Sequence, residues 1–90
     1  MPHGAENIIL TGAHLRAARA LLKWTGEQLA QASGVSLQTI RRSEPLDGPV
    51  RMITANAWAI RSALEAAGVE FIAENGGGAG VRLRRPFPQR

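Results

Sequence analysis

Glu27-Gln-Leu-Ala-Gln-Ala-Ser-Gly-Val-Ser-Leu-Gln-Thr-Ile-Arg-Arg42 reads as two short amphipathic helices meeting at one glycine. Gly34 ends the first of them, because a tight exit needs a left-handed backbone that glycine enters at little cost. Ser36 caps the next helix, which runs from Leu37 to about Glu44. Leu29, Val35 and Ile40 face inward and set the angle between the helices, while Ala30 is small where they cross. Leu37, Gln38, Arg41 and Arg42 are left facing outward. This is the spacing of a helix-turn-helix, which presents its second helix to the DNA major groove. Glutamine and arginine can make bidentate contacts to adenine and guanine edges. Spacing alone leaves a second reading open, an ordinary helical hairpin in a small bundle.

Upstream, Thr11 caps a helix over residues 12–23, with Leu15, Ala18, Arg19 and Leu22 at helical spacing. Thr25-Gly-Glu-Gln28 fits a capping box for the helix that follows. Downstream, Pro45-Leu-Asp-Gly-Pro49 is a loop by composition. A fourth helix begins at Thr54, with Ile53, Ala57, Ile60, Leu64 and Ala67 as its expected buried stripe, and Gly68 stops it.

The last quarter changes character. Val69-Glu-Phe-Ile-Ala73 and Gly80-Val-Arg-Leu-Arg84 each alternate, and Asn75-Gly-Gly-Gly-Ala-Gly80 between them reads as the turn of a β-hairpin. Val69, Phe71, Val81 and Leu83 share one face; Glu70, Arg82 and Arg84 share the other, where opposite charges can pair. A lone hairpin is marginal in water, so it must pack on the helices, pair with a second copy, or both. The expected organisation is an N-terminal arm over 1–10, a helix-turn-helix domain over 11–67, a dimerising hairpin over 68–85 and a basic tail over 86–90. The expected dimer interface is Val69, Phe71, Val81 and Leu83 with Trp58, which lies off the fourth helix's stripe. Trp58 is also open to a reading as core at the hairpin junction.

Ninety residues make one domain with a small core. The absence of cysteine removes disulfides and thiolate zinc sites. The start of the chain lacks a charged segment followed by an apolar one, and no apolar stretch reaches membrane-spanning length, so a cytoplasmic protein is expected. Eleven basic residues against seven acidic ones give a net charge of +4, and ten of the eleven are arginine, which suits phosphate and guanine contacts. Arg82, Arg84, Arg85 and Arg90 form a separate basic group, open to a reading as a solvated charged end. Two histidines, one of them in the arm, and a single aspartate do not assemble a catalytic constellation, so an enzyme is not expected. His14 has no second ligand at metal spacing, and no metal or cofactor is expected.

Residues 15–44, and in particular Leu15…Arg19, Trp-Thr…Leu-Ala, Ala-Ser-Gly-Val-Ser, Thr-Ile and the closing Glu44, resemble the Cro and lambda-repressor-like helix-turn-helix family, called XRE. With the fourth helix the resemblance covers residues 11–67. The ending from Ala63 to Arg84 is similar to that of small bacterial regulators of this family. The resemblance implies a mainly α fold of four to five helices, here with a C-terminal β-hairpin. It implies a homodimeric transcriptional regulator whose third helix reads double-stranded DNA. Leu37, Gln38 and Arg42 would then face base edges; Thr25, Gly26, Ser36, Thr39, Arg41 and Arg51 would lie near phosphates. Arg19 and Glu44 would form a structural ion pair, which also fits the wish of a glutamate at a helix C-terminus for a cationic partner.

Two positions depart from the family pattern. Gly26 stands where glutamine is common, leaving main-chain N–H groups and Thr25 to hold a phosphate. Ser43 stands where an apolar residue is usual, implying either looser packing or a bond back to its own helix. Leu37 either meets a thymine methyl group or is a half-exposed leucine. An alternative function is an antitoxin-like module that binds a protein partner through the hairpin or Trp58.

Overall fold

A computed structural model describes residues 9–85. Within them the order is α1 (Gly12–Leu22), α2 (Gly26–Ser33), α3 (Leu37–Ser43), α4 (Thr54–Ala66), β1 (Val69–Ile72) and β2 (Gly80–Leu83). The described residues therefore form a small, mostly helical fold with an antiparallel hairpin. No helix among them is long and apolar enough to cross a membrane. Residues 1–8 of the expected arm and the tail over 86–90, with Arg90, lie outside the described residues.

Helix starts are set by short polar side chains. Thr11 accepts the His14 N–H through its hydroxyl, and His14 Nδ1 accepts the Thr11 N–H in return, both at 3.0 Å. Histidine thus takes the place of the glutamate or glutamine of an ordinary capping box. Thr25 and Gln28 make the box expected for α2, at 3.0 and 2.7 Å. Gly34 leaves α2 at φ 77°, the left-handed exit anticipated above. Lys23 ends α1 at φ 59°, the one positive φ outside glycine among the described residues.

The core gathers Leu10, Leu15, Ala18, Leu29, Val35, Ile40, Ile60, Leu64, Val69 and Phe71. Trp24 packs against it, half-buried. α2 packs on α3 and α4, β1 packs on α4, and both strands pack on α1. The hairpin pairs Val69 with Leu83, Glu70 with Arg82, Phe71 with Val81 and Ile72 with Gly80. Its apolar face is as expected, and it takes the first of the destinations left open, packing on the helices. Val69 and Phe71, expected at a dimer interface, are buried in the chain's own core, because α1 and α4 already cover that face. Val81 packs at the margin of the same core, and Leu83 is half-buried. Arg82 pairs with Glu70 at 3.1 Å across the strands, and the hydrogen bond from Arg82 holds the Glu70 carboxyl below its usual range. Arg84 turns away and donates to the Glu65 carbonyl oxygen at the end of α4.

The expected stripe of α4 needs correction at both ends. Ile53 is 68% exposed, because it is the N-cap (φ −65°, ψ 154°) and helical angles do not carry it inward. Ala67 is exposed beyond the last helical turn, where Gly68 (φ 113°) redirects the chain and sends Val69 inward instead. The buried positions are Ile60, Leu64 and also Arg61, whose guanidinium lies 5.0 Å over the Phe71 ring and 2.9 Å from Glu65. Leu10, assigned to the arm, belongs to the core. Its carbonyl accepts the Val50 N–H at 3.0 Å, and Thr11 bridges to Pro49.

Gly12 is the tightest point of the fold. Its N–H donates to the Gly48 carbonyl at 3.1 Å. A Cβ there would overlap the carbonyl oxygens of Ser43 and Leu46 and come 2.9 Å from that of Glu44. These are backbone atoms that cannot step aside. Gly12→Ala is therefore expected to destabilise the fold by about 3 kcal/mol, the upper range for overpacking, despite alanine's better helix propensity. Urea unfolding checks this, and a wild-type midpoint would contradict it.

Burial, and then the nearby Arg61, hold the His14 pKa below its ordinary 6.5. The unfolded chain binds more protons between the depressed value and 6.5, so stability is full above that window and falls as pH drops through it. His14→Gln keeps an acceptor for the Thr11 N–H and is expected to flatten this dependence. Urea midpoints on either side of pH 6.5, for both proteins, test it.

Candidate nucleic-acid interface

Two sets of contacts fix α3. From below, Leu29 of α2, Val35 of the turn and Ile40 of α3 are buried together, which sets the crossing of α2 and α3. At its start, Ser36 accepts the Thr39 N–H at 3.1 Å and donates its own hydroxyl to Thr39 Oγ1 at 2.9 Å. With seven residues, α3 is too short to hold its position by helix propensity.

The second set grips its C-terminal end. Gly12, Arg16 and Arg19 recur at helical spacing on one side of α1 and meet the carbonyls that close α3. Arg16 donates to the carbonyl oxygens of Glu44 and Leu46, the latter at 3.2 Å, and reaches Asp47 Oδ1 at 2.9 Å. Arg19 holds the Glu44 carboxylate in a two-pronged pair, with Nη2 2.8 Å from Oε1 and Nε donating to Oε2. Its remaining arm donates to the Trp24 carbonyl at 2.8 Å. The hydrogen bond to Glu44 raises the pKa of Arg19 further, and both side chains are largely shielded from water. The cations neutralise the negative end of α3 as well as Glu44. The Arg19–Glu44 pair expected from the sequence is present; Arg16, which completes the grip, was not singled out.

Ser43 does neither of the things expected of it. It is fully buried, and its hydroxyl accepts the Arg51 N–H at 2.9 Å. The polar residue thus ties the loop after α3 to α3 itself and packs without an unmet hydrogen bond.

The outward surface of α3 brings Leu37, Gln38, Arg41 and Arg42 to one shallow depression. Gln38, Arg41 and Arg42 are exposed and Leu37 is half-exposed. Arg41 pairs with Glu27 at 3.2 Å, with both side chains about two-thirds exposed, so water or a phosphate can compete for it. No carboxylate among the described residues pairs with Arg42 or Arg51. Gly26 sits beneath Leu37: a Cβ there would lie 3.2 Å from Leu37 Cδ1. The glycine and the leucine are thus a matched pair, which the sequence alone did not suggest. Thr25 and Ser36 spend a hydroxyl lone pair on capping, while the Thr39 hydroxyl proton stays available to an acceptor. Arg51 is exposed beside the end of α3.

No family model matches this chain, and no curated protein matches it.

Arg19 and Arg41 make contrasting ion pairs. Arg19→Ala leaves Glu44 unpaired at the wrong end of a helix and is expected to cost about 2–3 kcal/mol, as for a shielded hydrogen-bonded charge. Arg41→Ala should stay within about 0.5 kcal/mol of wild type. Denaturant unfolding of the two variants side by side checks the difference; equal losses would contradict it.

Proposed function

We propose that this chain is a small transcriptional regulator that binds double-stranded DNA sequence-specifically, with α3 in the major groove. The observation that carries the proposal is the convergence of Leu37, Gln38, Arg41 and Arg42 on the exposed side of a helix clamped at its far end. A reading helix needs that combination. Its outward groups must be free to meet base edges, and its axis must not drift. The helix order and the α2–turn–α3 unit also agree with the lambda-repressor-like arrangement implied by the sequence.

In this reading Leu37, Gln38 and Arg42 meet bases, and Leu37 offers an apolar contact to a thymine methyl group. Thr25, Gly26, Ser36, Thr39, Arg41 and Arg51 lie along the phosphates, assisted by the N-termini of α2 and α4. Phosphate contacts fix register, and base contacts choose sequence. Two copies would address half-sites about 34 Å apart, one turn of the duplex. No catalysis or cofactor enters. The rival reading, a protein-neutralising module acting through the hairpin or Trp58, loses the hairpin's apolar face, which α1 and α4 occupy, and retains only the exposed Trp58.

Arg42→Ala is expected to cost about 1–3 kcal/mol of binding and to relax preference at one base position. Arg51→Ala should instead weaken all sequences alike and lower the salt slope by about one. Fluorescence anisotropy across single-base variants and salt concentrations separates the two. Unchanged discrimination in Arg42→Ala would overturn the assignment of the reading helix.

A further inference from the structure

We infer that two copies of this chain meet through the outer face of α4, with Trp58 at its centre. This deepens the DNA-binding proposal by naming the contact between its two copies, but it is tested without DNA. Ala55, Trp58, Ser62 and Ala66 recur at helical spacing on the side of α4 opposite Ile60 and Leu64, and all four are exposed. Trp58 is 52% exposed, although tryptophan is among the costliest side chains to leave in water. Of the exposed large apolar residues described, it is the one within a helix.

Charge selects a second copy as the occupant. The outward residues of α1 include Arg16, with Lys23 at its C-cap, those of α2 include Glu27, and those of α3 include Arg41 and Arg42. The outer face of α4 carries no charge, and Glu65 at its margin is tied to Arg61. A chain of net charge +4 meets itself with least repulsion on such a face. An acidic partner or a nucleic acid would find nothing there to pair with. The sizes also match. Two α4 helices set antiparallel about a two-fold axis near their midpoints place Trp58 of one copy over Ser62 of the other, a large residue against a small one.

The contact is small. A helix of thirteen residues is about 20 Å long and about 10 Å across, too little for the roughly 800 Å² per partner of a standard interface. The free dimer is accordingly weak, and DNA with two half-sites would reinforce it by raising the effective concentration of the second copy.

Sedimentation equilibrium on the full chain, from micromolar to millimolar concentrations, tests this with Trp58→Glu and Ser62→Arg. The second variant leaves Trp58 in place and adds charge to the same face. Both should keep the wild-type circular dichroism and thermal transition, since both positions are exposed. The wild type should self-associate, and each variant should do so at least about tenfold more weakly. A wild type monomeric throughout, or variants that associate like the wild type, would overturn the inference. Binding to a duplex with one half-site should be unchanged in both variants. Loss of that binding in the wild type would count against the DNA reading alone and leave the sedimentation result to decide this one.

Discussion

The bond between Arg19 and Glu44 is the contact on which the rest of the arrangement turns. A helix of seven residues ending in a glutamate has its own dipole against it, and nothing in its propensity keeps it in place. Arg19 and Arg16 supply the opposite charge, and Gly12 lets the backbones come close enough for both to reach. The three residues share one side of α1, so a single helix face performs the whole task. Stability and presentation are therefore the same problem in this chain: what holds the fold also aims α3.

Much of this was legible in the sequence because it is local. Thr11, Thr25 and Ser36 are caps, and Gly34 is a turn, for reasons that reach only three or four residues along the chain. The two faces of the hairpin followed from period-two patterning. Partners distant in sequence were harder. Arg16 was not singled out because its acceptors include backbone carbonyls, which have no sequence signature. Arg61 was missed for a related reason: a cation on a buried stripe is invisible unless Phe71 and Glu65 are known to lie beside it. Ser43 was read as looser packing or a bond back to its own helix because its donor, the Arg51 amide, also has no identity in the sequence. Gly26 was read as a departure and Leu37 as a question apart from it, and the two prove to be one accommodation.

The hairpin shows where a local reading stops short of the larger one. Its apolar face was correctly identified, but a face needing cover does not say what covers it. α1 and α4 do, so Val69 and Phe71 join the core that also holds Leu15 and Ile60. The hairpin is thus part of the platform under the helices. This moves the question of self-association to α4, whose inner side is used by the core and whose outer side is uncharged.

The central claim is that α3 chooses a DNA sequence through Leu37, Gln38 and Arg42. Selection of bound duplexes from a random pool, by the wild type and by a variant with alanine at those three positions, tests it most directly. The account predicts that the wild type enriches a two-fold symmetric motif with half-sites one helical turn apart, and that the variant loses the motif while retaining weak, salt-sensitive binding. No enrichment by the wild type, or the same motif recovered by the variant, would contradict it.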